Sequence, residues 1–216
     1  VRDNVLYDKD FTKLIQYPVG QEAKSISVLN TVTTIANSAF ASCNFVERVD
    51  LPNVKIIEAS AFGECFRLRS VNMPKVTTIG PTAFGECWWV DSIDIPNVTI
   101  LESYTFFYCK GLRSINIPNV TILGSFAFVG CDNLKSINIP NVTKIERRGF
   151  GYCDVLQKVV LGNVDSIKSE AFIECPSLDT FRITAATPPV LEDDVFKDTP
   201  SDVLIQVPCG ASSLYK

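Results

Sequence analysis

The 216-residue sequence contains no histidine. The commonest general base, the usual activator of nucleophiles and the commonest nitrogen ligand for metals are therefore missing together. Long apolar runs are missing too: no stretch of eighteen or more residues could span a membrane as a helix. Basic residues are not in excess, since 20 Lys and Arg against 24 Asp and Glu leave a formal charge of −4. A nucleic-acid partner, which needs a clustered basic face, is thereby disfavoured. No glycine-rich phosphate loop is present, and no two cysteines stand at the short spacing of a zinc site. No cofactor is expected. The first residue is Val1, so a trimmed chain is expected, in which any export signal or anchor upstream would lie out of view.

What the chain does contain is a period. Cysteines fall at 43, 65, 87, 109, 131, 153 and 175, each 22 residues after the last. Pairs such as Ala61-Phe62, Ala83-Phe84, Thr105-Phe106, Ala127-Phe128, Gly149-Phe150 and Ala171-Phe172 precede them. An aliphatic-x-x-aliphatic-x-aliphatic pattern follows, as in Leu68, Val71, Met73 or Leu112, Ile115, Ile117 or Leu134, Ile137, Ile139. The alternation Ile115-Asn116-Ile117 suits a strand with one buried face. Pro118 then ends that strand, having no N–H to give to a ladder. Pro52, Pro74, Pro96 and Pro140 take the same place, and Gly162 replaces proline in the next copy.

A 22-residue period with this aliphatic spacing is the signature of leucine-rich repeats. One repeat cannot bury its own apolar face, but stacked copies can. The expected fold is a right-handed leucine-rich-repeat solenoid of the α/β type, mostly β. About nine parallel strands should form one sheet ~40 Å long, with short strands and helical turns on the other side. The phenylalanines of the Ala-Phe pairs should fill the core opposite the strands. Residues 1–24 are expected to be an N-terminal capping hairpin, with strands near Val5–Tyr7 and Leu14–Tyr17. Residues 25–186 are the regular repeats. Residues 187–216 form an atypical C-terminal cap, where Phe196 follows Phe172 by 24 residues rather than 22. All three belong to a single domain.

The strings Ser-Ile-Asn-Ile-Pro-Asn-Val-Thr-x-Ile and Ala-Phe-x-x-Cys-x-x-Leu resemble the BspA-like leucine-rich repeats of bacterial surface proteins, known from Bacteroidetes. The resemblance covers roughly residues 25–208. Leu6 to Pro18 is similar to the family's opening segment. Thr187-Pro188-Pro189 and Val207-Pro208-Cys209-Gly210, with Tyr215-Lys216, are similar to its closing repeat. One departure is a single Asn or Lys after the proline, where the family often has a Ser-Ser or Asp-Ser pair. The resemblance implies an exported, extracellular or cell-surface protein that binds a host or partner protein.

The evenly spaced cysteines read as stacked small hydrophobes. In-register side chains on neighbouring rungs stay about 4.8 Å apart, farther than the ~3.8 Å between disulfide Cβ atoms. Cys209 lies outside this register. The recurring Asn53, Asn97, Asn119, Asn141 and Asn163 read as turn residues that cap their own backbone, and Asn97, Asn119 and Asn141 head Asn-x-Thr sequons.

Repeated residues build the scaffold, so departures are the candidates for function. Both tryptophans, Trp88 and Trp89, directly follow a cysteine, with Phe66 and Phe45 at related positions one and two repeats earlier. Other copies carry Lys, Asp, Asn or Pro there, so the position is expected to reach solvent and form a ligand-binding patch. Tyr104, Phe107, Tyr108 and Phe126 make a secondary cluster. A third candidate is the concave polar face of the sheet: Arg69, Asp91, Asp94, Arg113, Asn116, Lys135 and Asn138. The order Glu47–Arg69–Asp91–Arg113 alternates in sign, which alone would stabilise neighbouring strands by roughly 0.2–1 kcal/mol per pair. The paired acids Asp91 and Asp94 lie on an open face with no evident pocket and no neighbouring acid at another loop, which disfavours a glycosidase site. The leading reading is a non-enzymatic module for a protein or glycan ligand. A structural spacer within a longer surface protein is the alternative, and an enzyme is disfavoured.

Overall fold

The structure is a computed structural model, described for residues 3–211 and 214. Tyr215 and Lys216, part of the expected closing repeat, lie outside the described residues. Nine strands follow one another along one face: Ser25–Ser27, Arg48–Asp50, Ser70–Asn72, Ser92–Asp94, Ser114–Asn116, Ser136–Ile139, Lys158–Leu161, Thr180–Ile183 and Leu204–Gln206. Every pairing among them is parallel, and the register repeats the sequence period. Ser92 pairs with Ser114 and Ser136 with Lys158, 22 residues on, whereas Thr180 pairs with Leu204, 24 on. Pairing lapses between Ser70–Asn72 and Ser92–Asp94, and between Ser114–Asn116 and Ser136–Ile139, although these strands stay adjacent.

A second parallel ladder runs along another face, where short strands and helical turns were expected. It begins with Lys13–Gln16 and continues through two-residue strands from Thr34–Ile35 to Val190–Leu191, with one lapse between Thr78–Ile79 and Ile100–Leu101. Leu6–Tyr7 pairs antiparallel with Lys13–Gln16 and closes the N-terminal edge of this ladder.

No helix forms among the described residues, which corrects the helical turns expected from the sequence. The reason lies in the backbone. Two residues per turn, four apart, take positive φ: Ser38 and Ser42, Ser60 and Glu64, Thr82 and Glu86, Tyr104 and Tyr108, and onwards. A left-handed residue every fourth position breaks any i→i−4 ladder. Alternate amides instead tie one rung to the next. Tyr104, Phe106 and Tyr108 donate to the carbonyls of Ser125, Ala127 and Val129 at 2.9, 2.9 and 2.7 Å.

The core is one continuous cluster from Val5 to Val195. Of the inward residues expected from the sequence, Ile115 is only partly buried and the rest are buried. Down its axis runs a stack of rings. Tyr17, Phe40, Phe62, Phe84, Phe106, Phe128, Phe150, Phe172 and Phe196 stack in order, with neighbouring centroids 4.9–5.7 Å apart. Thr105, where most copies carry Ala or Gly, is tolerated in the core because its hydroxyl donates to the Glu102 carbonyl at 2.6 Å. At the C-terminal end Val190, Leu191, Leu204, Ile205 and Leu214 are exposed, so the last described strands leave apolar surface uncovered.

The turn asparagines bridge rungs rather than capping themselves. The amides of Asn97, Asn119 and Asn141 donate to the carbonyls of Pro74, Pro96 and Pro118 at 3.1, 2.7 and 2.8 Å, and Asn53 reaches Asn30 in the same way. Stacked rungs offer a carbonyl at hydrogen-bond distance in every copy, which a lone turn does not.

Gly162 also differs from the prolines it replaces in the pattern. Here the strand pairing extends one residue further, through Ile139 with Leu161, and draws the following residues together. A Cβ at 162 would lie only 2.6 Å from the Pro140 carbonyl carbon and closer still to its oxygen. Backbone meets backbone there, so no flexible side chain can yield. Gly162→Ala is expected to cost about 3 kcal/mol, at the upper end for overpacking. Gly20 has nothing within 4 Å of the corresponding position. Gly20→Ala should therefore be neutral or stabilise by about 0.4–1 kcal/mol through the unfolded chain. Urea denaturation of the two variants checks this, and equal midpoints would contradict it.

Candidate functional site

The polar residues of the long-strand face pair across rungs. Asn116 donates to Asp94 at 2.8 Å and Asn72 to Asp50 at 2.6 Å. The alternating charges settle as separate pairs: Arg113 bonds Asp91 at 3.0 Å, and Arg69 lies 3.8 Å from Glu47. These pairs are solvent-exposed, so each contributes about 0–1 kcal/mol. Lys135 and Asn138 are exposed on the next rung.

Trp88 and Trp89 are exposed by 42% and 54% of their surface. They do not form one patch with both phenylalanines. Residues immediately after the cysteines make one column, in which half-buried Phe66 rests against Trp88, centroids 4.4 Å apart, and the Lys110 ammonium lies 5.9 Å from the Trp88 ring. The next residues make a second column, where Arg67 separates exposed Phe45 from Trp89. The Trp89 ring instead carries the Arg69 guanidinium, 4.9 Å from its centroid, a cation–π arrangement that holds both groups. Gly111 follows Trp89 in this column. A Cβ there would meet the Trp88 carbonyl oxygen at 2.6 Å, and the Gly111 amide donates to that same oxygen at 2.8 Å. The column consequently has no side chain between Trp89 and Asn133.

The result is a cleft of about 630 Å³ that joins two groups of residues the sequence had kept apart. Trp88, Trp89, Lys110 and Gly111 form one side, and Arg48, Arg69, Asp91 and Arg113 of the strand face form the other. Arg48 and Lys110 were absent from the sequence-based candidates. Their presence follows from the fold, which sets a strand residue two rungs earlier beside a turn residue. Four cations and one carboxylate line this cleft in a chain of net charge −4. Asp132, on the rung after Lys110, has its carboxyl pushed up by burial and by Asp154, which the Lys110 charge opposes.

The secondary aromatic cluster lies in the turns. Tyr104 stacks on Phe126 at 4.8 Å with the planes 2° apart, and Phe107 meets Tyr104 and Tyr108 edge-on. Tyr104, Tyr108 and Phe126 all take positive φ. The Arg148 guanidinium lies 5.9 Å from the Phe126 ring. Arg148 and then Arg147 hold the Glu170 carboxyl down to about 2 by hydrogen bonding. These rings are largely engaged with one another.

The seven periodic cysteines are free and buried, and Cys209 is free and exposed. Their thiols do more than fill space. The Cys87 thiol donates to the Phe62 carbonyl at 3.1 Å, and the same bond recurs from Cys65 to Cys175, at 3.0–3.3 Å. Among the described residues no group of His, Cys, Asp and Glu could hold a metal ion, and no helix is long and apolar enough to cross a membrane.

Two parallel ladders, a 22-residue register through the central rungs and a core stacked rung upon rung define a leucine-rich-repeat solenoid. The sequence pattern of the BspA type leucine rich repeat region matches residues 20–88 and 77–201 in six copies. The chain belongs to that family. Among solved structures it is similar to a T. pallidum leucine rich repeat protein, at 23% identity and a TM-score of 0.71, over 81% of this chain and 86% of that one. It is also similar to a leucine-rich repeat protein from Eubacterium ventriosum, at 21% identity and a TM-score of 0.62. That match covers 95% of this chain but half of the other. No curated protein matches the chain in sequence.

Proposed function

We propose that the chain is a non-catalytic binding module, secreted or displayed at the bacterial surface, which takes its partner in the cleft around Trp88 and Trp89. The observation that carries this is the joint exposure of both tryptophans beside an excess of positive charge. Exposed tryptophan and arginine side by side are the commonest composition of binding hot spots. Family membership supports the surface setting. Asp91 and Asp94, the acids that could suggest hydrolysis, are each engaged by a neighbour, Arg113 and Asn116.

The test replaces the pair by its own equivalents two rungs on. Asp132 and Asn133 occupy the matching positions, and Asn133 donates to the Lys110 carbonyl at 2.8 Å. In the double variant Trp88→Asp, Trp89→Asn, the new asparagine should reach the Phe66 carbonyl in the same way. Exposed substitutions of this kind change stability by less than about 1 kcal/mol, so melting should fall by no more than ~4 °C. Binding to matrix proteins and glycans on an array should be lost. Binding that survives with melting unchanged would exclude the cleft, and a drop of ten degrees or more would assign the tryptophans to the core.

A further inference from the structure

Resting on that reading of the cleft, we infer that the ligand is a carboxylated sugar: a pyranose ring that stacks on an indole while its carboxylate meets the guanidinium groups of Arg69 and Arg113. The charge balance points to an anion: Arg48, Arg69, Lys110 and Arg113 outnumber Asp91, which Arg113 bonds, and Glu47, 3.8 Å from Arg69. Guanidinium groups grip carboxylates, as they do phosphates, through paired N–H bonds that an ammonium group cannot supply. The indoles beside them favour a ligand that also presents a flat C–H face, as a pyranose does.

Position in the fold separates a sugar from a peptide that binds by strand addition. Such a peptide needs an open sheet edge. The cleft crosses the middle rungs, between Arg48 and Asn133, away from both ends of the ladder. Recognition there must come from side chains, and the hydroxyls of Ser70 and Ser92 supply donors and acceptors for sugar hydroxyls. Sharing Arg48 and Ser70, the cleft continues into a second trough of about 580 Å³ over the first three strands, lined by Ser25, Ser27, Asp50 and Asn72. From Ser25 to Arg113 this spans five strands, about 19 Å at the spacing of a sheet, long enough for an oligosaccharide.

The chain has two tryptophans, both at the cleft, so selectively excited tryptophan emission reports this site. Four probes are titrated: a hyaluronan hexasaccharide with internal uronates, sialyllactose with a terminal carboxylate, neutral maltohexaose, and hexaglutamate. At least one carboxylated sugar should quench fluorescence saturably, and which one does tells an internal from a terminal carboxylate. Affinity should fall about tenfold between low salt and ~0.5 M, where the Debye length shrinks to a few ångströms. Calorimetry with Arg69→Gln and Arg113→Gln should show a further loss of about tenfold each, with Arg→Lys recovering only part of it. Equal binding of maltohexaose would overturn the role of charge, and a response to hexaglutamate alone would make the ligand a peptide. If no probe binds while the Trp88→Asp, Trp89→Asn variant still loses its array partner, the sugar inference fails and the cleft stands. If that variant keeps its partner, the cleft reading fails and this inference falls with it.

Discussion

Raising the pH from 8 to 10 is expected to unfold the protein, with about six protons released. Burial pushes up the thiols of Cys43, to about 11, and of Cys65 and Cys109, to about 12; those of Cys87, Cys131 and Cys153 are also raised well above the ordinary thiol value. The thiol is an acid whose charged form is excluded from the apolar interior, so the folded value exceeds the unfolded value near 9. The sign follows. Below pH 9 both states hold the proton and stability is complete. Above it the unfolded chain loses protons that the folded chain keeps, and stability falls with rising pH. One unit above the unfolded value, each thiol contributes a loss of about 1.4 kcal/mol, so six contribute about 8 kcal/mol, comparable with the whole stability of a domain. Urea midpoints measured from pH 7.5 to 10 should slope steeply downward above pH 9. Cys87→Ala should lessen that slope by one proton. A flat profile to pH 10 would show that the thiols are either exposed or already ionised.

The same cysteines show what could be read from the chain. A period of 22, repeated from Cys43 to Cys175, dictated the solenoid, its parallel register and its column of phenylalanines before any coordinate was known. Periodicity carries this information because each rung must place like residues over like. The bonds between rungs were not legible. From Cys65 to Cys175 each thiol donates to the carbonyl of the Phe 25 residues earlier, and turn asparagines donate to carbonyls 23 residues earlier. Such pairs depend on how far one coil rises over the last, which composition does not state. The left-handed turn residues were hidden for another reason. Serine, glutamate, threonine, tyrosine, phenylalanine and arginine occupy them, and apart from Gly130 the regular turns use none of the Gly or Asn that usually mark positive φ. With inter-rung hydrogen bonds holding those turns, the local preference is overridden, and helical turns were the natural but incorrect expectation.

The candidate site was half legible for a related reason. Trp88 and Trp89 stood out as departures from a repeat, and the charged columns stood out as exposed strand positions. That they share one cleft depends on a diagonal relation across rungs, from Arg48 through Trp88 to Lys110, which a column-by-column reading does not follow.

The ring stack yields the largest single-residue effect. Phe106 is fully buried, with Phe84 on one side at 5.6 Å and Phe128 on the other at 5.5 Å, the planes within 11° and 13°. Phe106→Ala removes the ring and leaves a cavity bounded by two aromatic faces that are each fixed by further rings behind them. Limited collapse places the cost in the upper part of the usual 3–5 kcal/mol for such a truncation. Two lost stacking contacts, at about 0.5–1.5 kcal/mol each beyond burial, act in the same direction. Melting should fall by about 10–15 °C for a chain of this size. Phe196 is the internal comparison: it stacks on Phe172 alone in the ring series and is partly exposed, so Phe196→Ala should cost about half as much. Because a solenoid couples only neighbouring rungs, the central lesion should also separate the two halves. Denaturation of Phe106→Ala followed by circular dichroism and by tryptophan fluorescence should then give two midpoints, since both tryptophans precede residue 106. A single coincident transition with a loss under about 2 kcal/mol would mean that the stack is replaceable packing rather than the element that couples one rung to the next.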